Sequence, residues 1–161
     1  LIKKKALMIK INVISNNKSW KKYLRNPNSY FDKKTKLLNK KSKLYKNKRL
    51  ICSLLLSDSP YIKKLNKKFR NKNKSTDVLS FPFYEKRKLK NVLKNNKEIY
   101  LGDIIINLSK VKNKNDKKNF KLELNKLWIH GLVHLFGYKH KLKKDFNSMS
   151  KIEEKYFRYI S

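Results

Sequence analysis

The chain has 161 residues, 39% of them apolar, with 44 Lys and Arg against 11 Asp and Glu, a formal charge of +33 and one cysteine. That is enough chain to bury a single core without disulfides, and enough apolar and aromatic side chain to exclude a disordered basic tail. No apolar stretch reaches the length of a bilayer span or a signal-peptide core, and the lone thiol asks for no oxidising compartment. A protein off the membrane and in the cytoplasm is expected. The charge implies attraction to polyanions, nucleic acid first. The excess of Lys over Arg, beside abundant Asn, also fits drift toward A/T-rich codons.

Met8 followed by Ile-Lys-Ile-Asn-Val looks like a natural beginning, so residues 1–7 are expected to be an extension and 8–161 one domain. Residues 8–14 alternate and are rich in Ile and Val, which predicts a strand. Residues 30–47 carry Phe31, Leu37, Leu38, Leu44 and Tyr45 among lysines, an amphipathic helix. Leu50 to Leu56 predicts a buried strand in which Cys52 packs as a small hydrophobe. Ser57-Asp-Ser-Pro60 then caps a helix reaching about Arg70, striped by Tyr61, Ile62, Leu65 and Phe69.

Asp77 to Phe83 predicts a strand that, by Pro82, lies at an edge or ends there. Glu85 to Lys97 is polar and basic, and is expected to be a mobile loop. Ile99 to Asn107 predicts a strand with Gly102 at a bulge or close backbone approach. Asn113 to Asn119 reads as a solvated segment. Phe120 to Phe136 predicts a helix apolar on most sides, hence central. Asp145 to Tyr159 predicts a last helix with Phe146, Met149, Ile152, Tyr156 and Phe157 inward. The expected fold class is α/β (α+β): a single domain with a four-stranded sheet, four to five helices, and the central helix carrying the histidines.

All the histidines of the chain fall in His130-Gly-Leu-Val-His134-Leu-Phe-Gly137-Tyr-Lys-His140. Residues four apart share a helix face, so His130 and His134 aim at a common point. Gly137 is suited to a left-handed C-cap that lets His140 return as a third ligand. Three imidazoles with one open position describe a catalytic zinc site rather than a closed structural one. The spacing matches the metzincin protease frame, but Gly131 stands where those enzymes carry the glutamate general base. Peptide hydrolysis is thereby demoted. The glycine is expected to leave open space beside the metal for a bulky anion.

Residues 130–140 resemble the signature His-Gly-x-x-His-Leu-x-Gly-Tyr-Asp-His of the YbeY family, bacterial metal-dependent endoribonucleases of ribosomal RNA maturation. Lys139 is the one departure, standing where Asp is usual. Phe69-Arg-Asn-Lys-Asn-Lys-Ser-Thr-Asp-Val-Leu-Ser-Phe-Pro82 and Leu101-Gly-Asp-Ile-Ile-Ile106 resemble two further family segments, in order. The resemblance implies one zinc ion on His130, His134 and His140, with Arg70 in an RNA-facing cleft. It implies single-strand-preferring cleavage in 16S rRNA 3′-end processing and ribosome quality control, with the ribosome or its small subunit as partner. The oligomeric state is left open.

From the residues alone, Arg70 is one of few arginines in a lysine-rich chain, and a guanidinium clamps two phosphate oxygens where an ammonium does not. Its plainer reading is an exposed helix C-terminal cation. Asp77, beside Thr76, invites a role as base or histidine orienter, and Asp103 a weaker one; both also fit local backbone capping. Lys139 removes any carboxylate support from that position. The competing functions are a non-enzymatic ribosome-binding factor braced by zinc and a divergent metallopeptidase.

Overall fold

The computed structural model describes residues 8–42 and 47–161. Four strands, β1 (Met8–Ser15), β2 (Arg49–Ser57), β3 (Val78–Pro82) and β4 (Glu98–Asn107), form one sheet in the order β1-β2-β4-β3. β1, β2 and β4 run parallel, and β3 pairs antiparallel with β4 at the edge, as Pro82 requires. Parallel neighbours need crossover connections, and helices supply them. α1 (Trp20–Tyr23) and α2 (Pro27–Lys41) lie between β1 and β2, with α3 (Ser59–Arg70) next in the chain. α4 (Lys86–Asn95), α5 (Lys117–Leu135) and α6 (Lys143–Ile160) complete the described α-helices, and a 3-10 turn at Leu108–Lys110 follows β4.

Alternation within the strands decides which face each residue meets. On one face Leu54, Leu101 and Ile104 join Phe31, Trp128 and Leu132 in the main core, all fully buried. α5 crosses this face beside β3 and β4, with α6 packed on α5. The other face is thinly covered: Ile62, Leu79 and Ile105 form a small cluster with Leu55, Leu65 and Phe81 beneath α3. Cys52 is wholly buried, as expected, and burial, helped by the nearby Asp103 charge, pushes its thiol up to about 12.

Several boundaries differ from the sequence reading for local reasons. Asn26 accepts from the Ser29 amide at 3.0 Å and starts α2 at Pro27 rather than residue 30. Leu44 and Tyr45, placed on that helix by the sequence, lie outside the described residues, as do 1–7. The expected loop at 85–97 is instead a helix: Leu89, Val92 and Leu93 repeat at three and four residues, a short stripe hidden among lysines, and pack on the main core. Asp116 accepts from the amides of Lys118 and Asn119 and starts α5 at Lys117, before Phe120. In α6, Met149 and Tyr156 point inward but Phe146 stays 58% exposed. α1 was not foreseen; it buries Trp20, whose Nε1 donates to Ser57 O at 2.9 Å.

Gly102 meets both expectations at once. The register between β2 and β4 shifts by one residue before it, with φ at +132°, and a Cβ there would collide with the carbonyl oxygen of Phe81. Among the described residues no helix is long and apolar enough to cross a membrane.

Candidate metal centre

The last turns of α5 deliver His130 and His134 to one point, with their Nε2 atoms 3.1 Å apart. Gly137, at φ +90°, turns the chain back just beyond the helix. Its missing side chain also makes room for α4: a Cβ there would lie 2.8 Å from Lys86 Cβ, and Lys86 Nζ sits 4.7 Å from the Tyr138 ring centre. The segment read as a loop is therefore the wall against which this turn is built. His140 returns with its ring centre 5.0 Å from that of His134 and 5.6 Å from that of His130. One nitrogen from each ring lies within 4.8 Å of the others, two rings half-buried and His140 exposed.

The hydrogen bonds fix which nitrogens carry protons. His134 Nδ1 faces the carbonyl of Tyr138 at 2.8 Å, and a carbonyl only accepts, so Nδ1 donates. His130 Nδ1 donates in the same way to Glu153 Oε1 at 2.6 Å. In the neutral rings, both Nε2 atoms then hold lone pairs that face each other. Burial, assisted by the charges of His130 and His140 and opposed by the Tyr138 bond and Glu153, pushes His134 down to about 4. At neutral pH it is unprotonated, so its Nε2 lone pair is available to a proton on His130 Nε2 or to a cation that both rings would hold. Three borderline nitrogen donors with an exposed side suit zinc with an open position.

Glu153 is the residue that sequence reasoning missed. A carboxylate on the far nitrogen of a ligating imidazole fixes its tautomer and raises its basicity. The signal was available: Glu153 stands four residues after Met149 and three before Tyr156, on the inward stripe of α6, in a chain poor in acids. Glu153→Gln is expected to leave the fold intact and weaken metal affinity by about 10- to 100-fold, measured by competition with a zinc chelator.

The pH dependence of the metal-free protein follows from His134. Its folded value lies below the ordinary 6.5, so the unfolded chain binds that proton more tightly. This contribution is absent above about pH 6.5 and becomes destabilising as pH falls toward 4. His134→Asn, whose amide can still reach Tyr138 O, removes it. Urea midpoints of the variant are therefore expected to fall less than those of the parent between pH 7 and 4.

The other candidates are distributed as follows. Arg70, the exposed last residue of α3, donates from Nη2 to Ser80 O on β3 at 3.0 Å, and Ser80 Oγ donates to Gly131 O at 3.0 Å. Arg70 is thus tied through Ser80 to the turn of α5 between the two histidines. Asp77 accepts from its neighbours, the Val78 amide at 2.7 Å and Thr76 Oγ1 at 3.2 Å, as local capping predicts. Asp103 points to the opposite face of the sheet, where Tyr100 donates to it. Lys139 is exposed.

The expected open space at Gly131 is absent. Gly131 is buried against the sheet, where a Cβ would lie 2.7 Å from Ile104 Cγ2 and 3.1 Å from Ser80 Oγ. The glycine serves close helix–sheet packing, and of the three clustered histidines it is His140 that is exposed.

The sequence profile described as Endoribonuclease YbeY matches residues 13–161. A relative of that name from Pelagibacter ubique is 42% identical over 156 residues, 95% of this chain and 97% of its own length. One from Ehrlichia canis is 34% identical over 152 residues, 92% and 90% of the two chains. A solution structure from Thermotoga maritima is similar in fold, with a TM-score of 0.56 and 26% identity over 94% of this chain and 89% of that one. With nearly the whole chain aligned and all three clustered histidines inside the matched region, this protein belongs to the YbeY endoribonuclease family.

Proposed function

We propose that the chain is a zinc-dependent, single-strand-preferring endoribonuclease of ribosomal RNA maturation. It acts at the 3′ end of 16S rRNA and in ribosome quality control, in the cytoplasm and on the ribosome or its small subunit. His130, His134 and His140 are its metal ligands, Arg70 its phosphate contact, and 8–161 its single domain. The observation that carries this reading is the approach of the His130 and His134 Nε2 atoms to 3.1 Å, completed by His140. The names of the relatives supply the RNA substrate class.

When bound, the ion supplies Lewis-acid polarisation of a phosphoryl oxygen and a lower pKa for attacking water. The protein's own residues do the rest. Glu153 and Tyr138 O hold the two helix imidazoles in the tautomer that presents Nε2. Arg70 spends one N–H on Ser80 O, which orients its plane and leaves the other donors for phosphoryl oxygens as charge develops there. The lysine-rich surface holds the backbone without reading bases. Neither Asp77 nor Asp103 is disposed as a general base toward the histidines, so attack by water or by the neighbouring ribose 2′-hydroxyl is distinguished by the product ends.

The test is incubation of zinc-loaded protein with single-stranded RNA, duplex RNA and casein. Cleavage of the single strand alone is expected. RNA that stays intact at every metal tried while still binding would leave a zinc-braced binding factor, and casein cleavage would restore the peptidase.

A further inference from the structure

The thinly covered face of the sheet, opposite α5, holds a groove of about 440 Å³ between α3 and the strands. Its walls are aromatic and open: Phe69 is 59% exposed and Tyr61 39%, and Phe69 meets Phe81 edge-on with ring centres 5.4 Å apart. Cations stand over both phenylalanines, Lys68 Nζ 5.2 Å from the Phe69 centre and Arg70 Cζ 5.8 Å from that of Phe81. The floor is polar. Tyr100 OH bridges Ser53 Oγ at 2.9 Å and Asp103 Oδ1 at 2.5 Å. Asp103 is exposed and forms no ion pair among the described residues, in a chain where cations outnumber acids 44 to 11. A carboxylate without a cationic partner in such a field, lining an aromatic slot and accepting from the Tyr100 hydroxyl, keeps acceptor capacity for further uncharged donors.

We propose that this groove is a nucleobase pocket that takes one unpaired guanine of the RNA, stacked on Phe69 and read by Asp103. The inference rests on the RNA reading above and deepens it. Aromatic faces flanked by cations are the general device for holding single-stranded bases. A carboxylate only accepts hydrogen bonds, and guanine is the common RNA base whose pairing edge offers two adjacent donors, N1–H and the N2 amine. Adenine, cytosine and uracil each set an acceptor beside their donor, which the carboxylate repels. In a duplex the same guanine edge is already paired, so the pocket also selects single strands. Arg70 lies over Phe81 at the groove wall and reaches the outer edge of β3 through Ser80 O, so the strand leaving the pocket passes a guanidinium on its way round that edge.

The probe is a set of fluorescein-labelled, phosphorothioate-linked RNA octamers, which resist cleavage, titrated into zinc-loaded full-length protein and read by anisotropy. One octamer carries a single guanosine among uridines. Its partners carry inosine, which lacks the N2 amine, or adenosine at that position. The guanosine strand is expected to bind roughly tenfold more tightly than either. Asp103→Asn should erase that preference, and Phe69→Ala should weaken all three strands by about tenfold. Both side chains are exposed, so both variants should fold. Equal binding of the three strands by the parent, a preference that survives Asp103→Asn, or competition by an apolar peptide with no effect of the base overturns the pocket. Cleavage of unmodified RNA by the same preparation separates the two claims: cleavage without guanine preference sinks only the pocket, and neither binding nor cleavage sinks both.

Discussion

His134→Ala is expected to lower RNA cleavage by about 10³-fold or more while the protein keeps its fold and most of its affinity for RNA. The expectation follows from the position of the ring. His134 is the middle ring of the cluster, its centre 4.6 Å from that of His130 and 5.0 Å from that of His140, and with Nδ1 donating to Tyr138 O its Nε2 faces His130 Nε2 at 3.1 Å. Removing it leaves two nitrogens, too few for a tight divalent site. Elemental analysis should find the metal lost in step with activity. RNA binding, proposed to rest on lysines spread over the surface, should survive and fall steeply with salt in both proteins. A variant that loses metal but cleaves at the parental rate would detach the histidines from the chemistry.

Gly131→Glu is the second large effect, and it separates packing from catalysis. The substitution restores the carboxylate of the metzincin frame, and if the sequence frame alone governed activity it would create a peptidase. The structure gives a different outcome. A Cβ at Gly131 already falls 2.7 Å from Ile104 Cγ2 and close to Ser80 Oγ, so a longer, charged side chain is driven into the helix–sheet interface. Overpacking together with a buried, unpaired carboxylate costs about 4 kcal/mol or more, which lowers the melting temperature by roughly 10 °C. Thermal unfolding should show that loss, and casein should remain uncut. A stable variant that cleaves casein would mean that the helix can move off the sheet.

These two positions also show what could and could not be read from the chain. His130, His134 and His140 were legible because helical spacing and a glycine turn are local geometry, and the structure brings the three rings together as that geometry implies. The strands were legible for the same reason, including the irregularity at Gly102 and the edge or end marked by Pro82. The role of Gly131 was not legible, because it depends on Ile104 and Ser80, which reach it through the fold and not along the chain. Glu153 was hidden in the same way, 23 residues from the ring it orients. α4 was missed because three apolar residues among lysines make a weak stripe until the core and Gly137 give that stripe something to pack on. Local periodicity carries the elements; contacts across elements carry the support of the site.

Zinc K-edge absorption spectroscopy of the zinc-loaded protein tests the metal centre most directly. The expected spectrum is that of a four-coordinate ion with multiple-scattering features of three imidazoles, nitrogen at about 2.0–2.1 Å and one oxygen, with one imidazole lost in His140→Ala. A spectrum of six oxygens, or one unchanged when His130, His134 and His140 are all replaced, would contradict it.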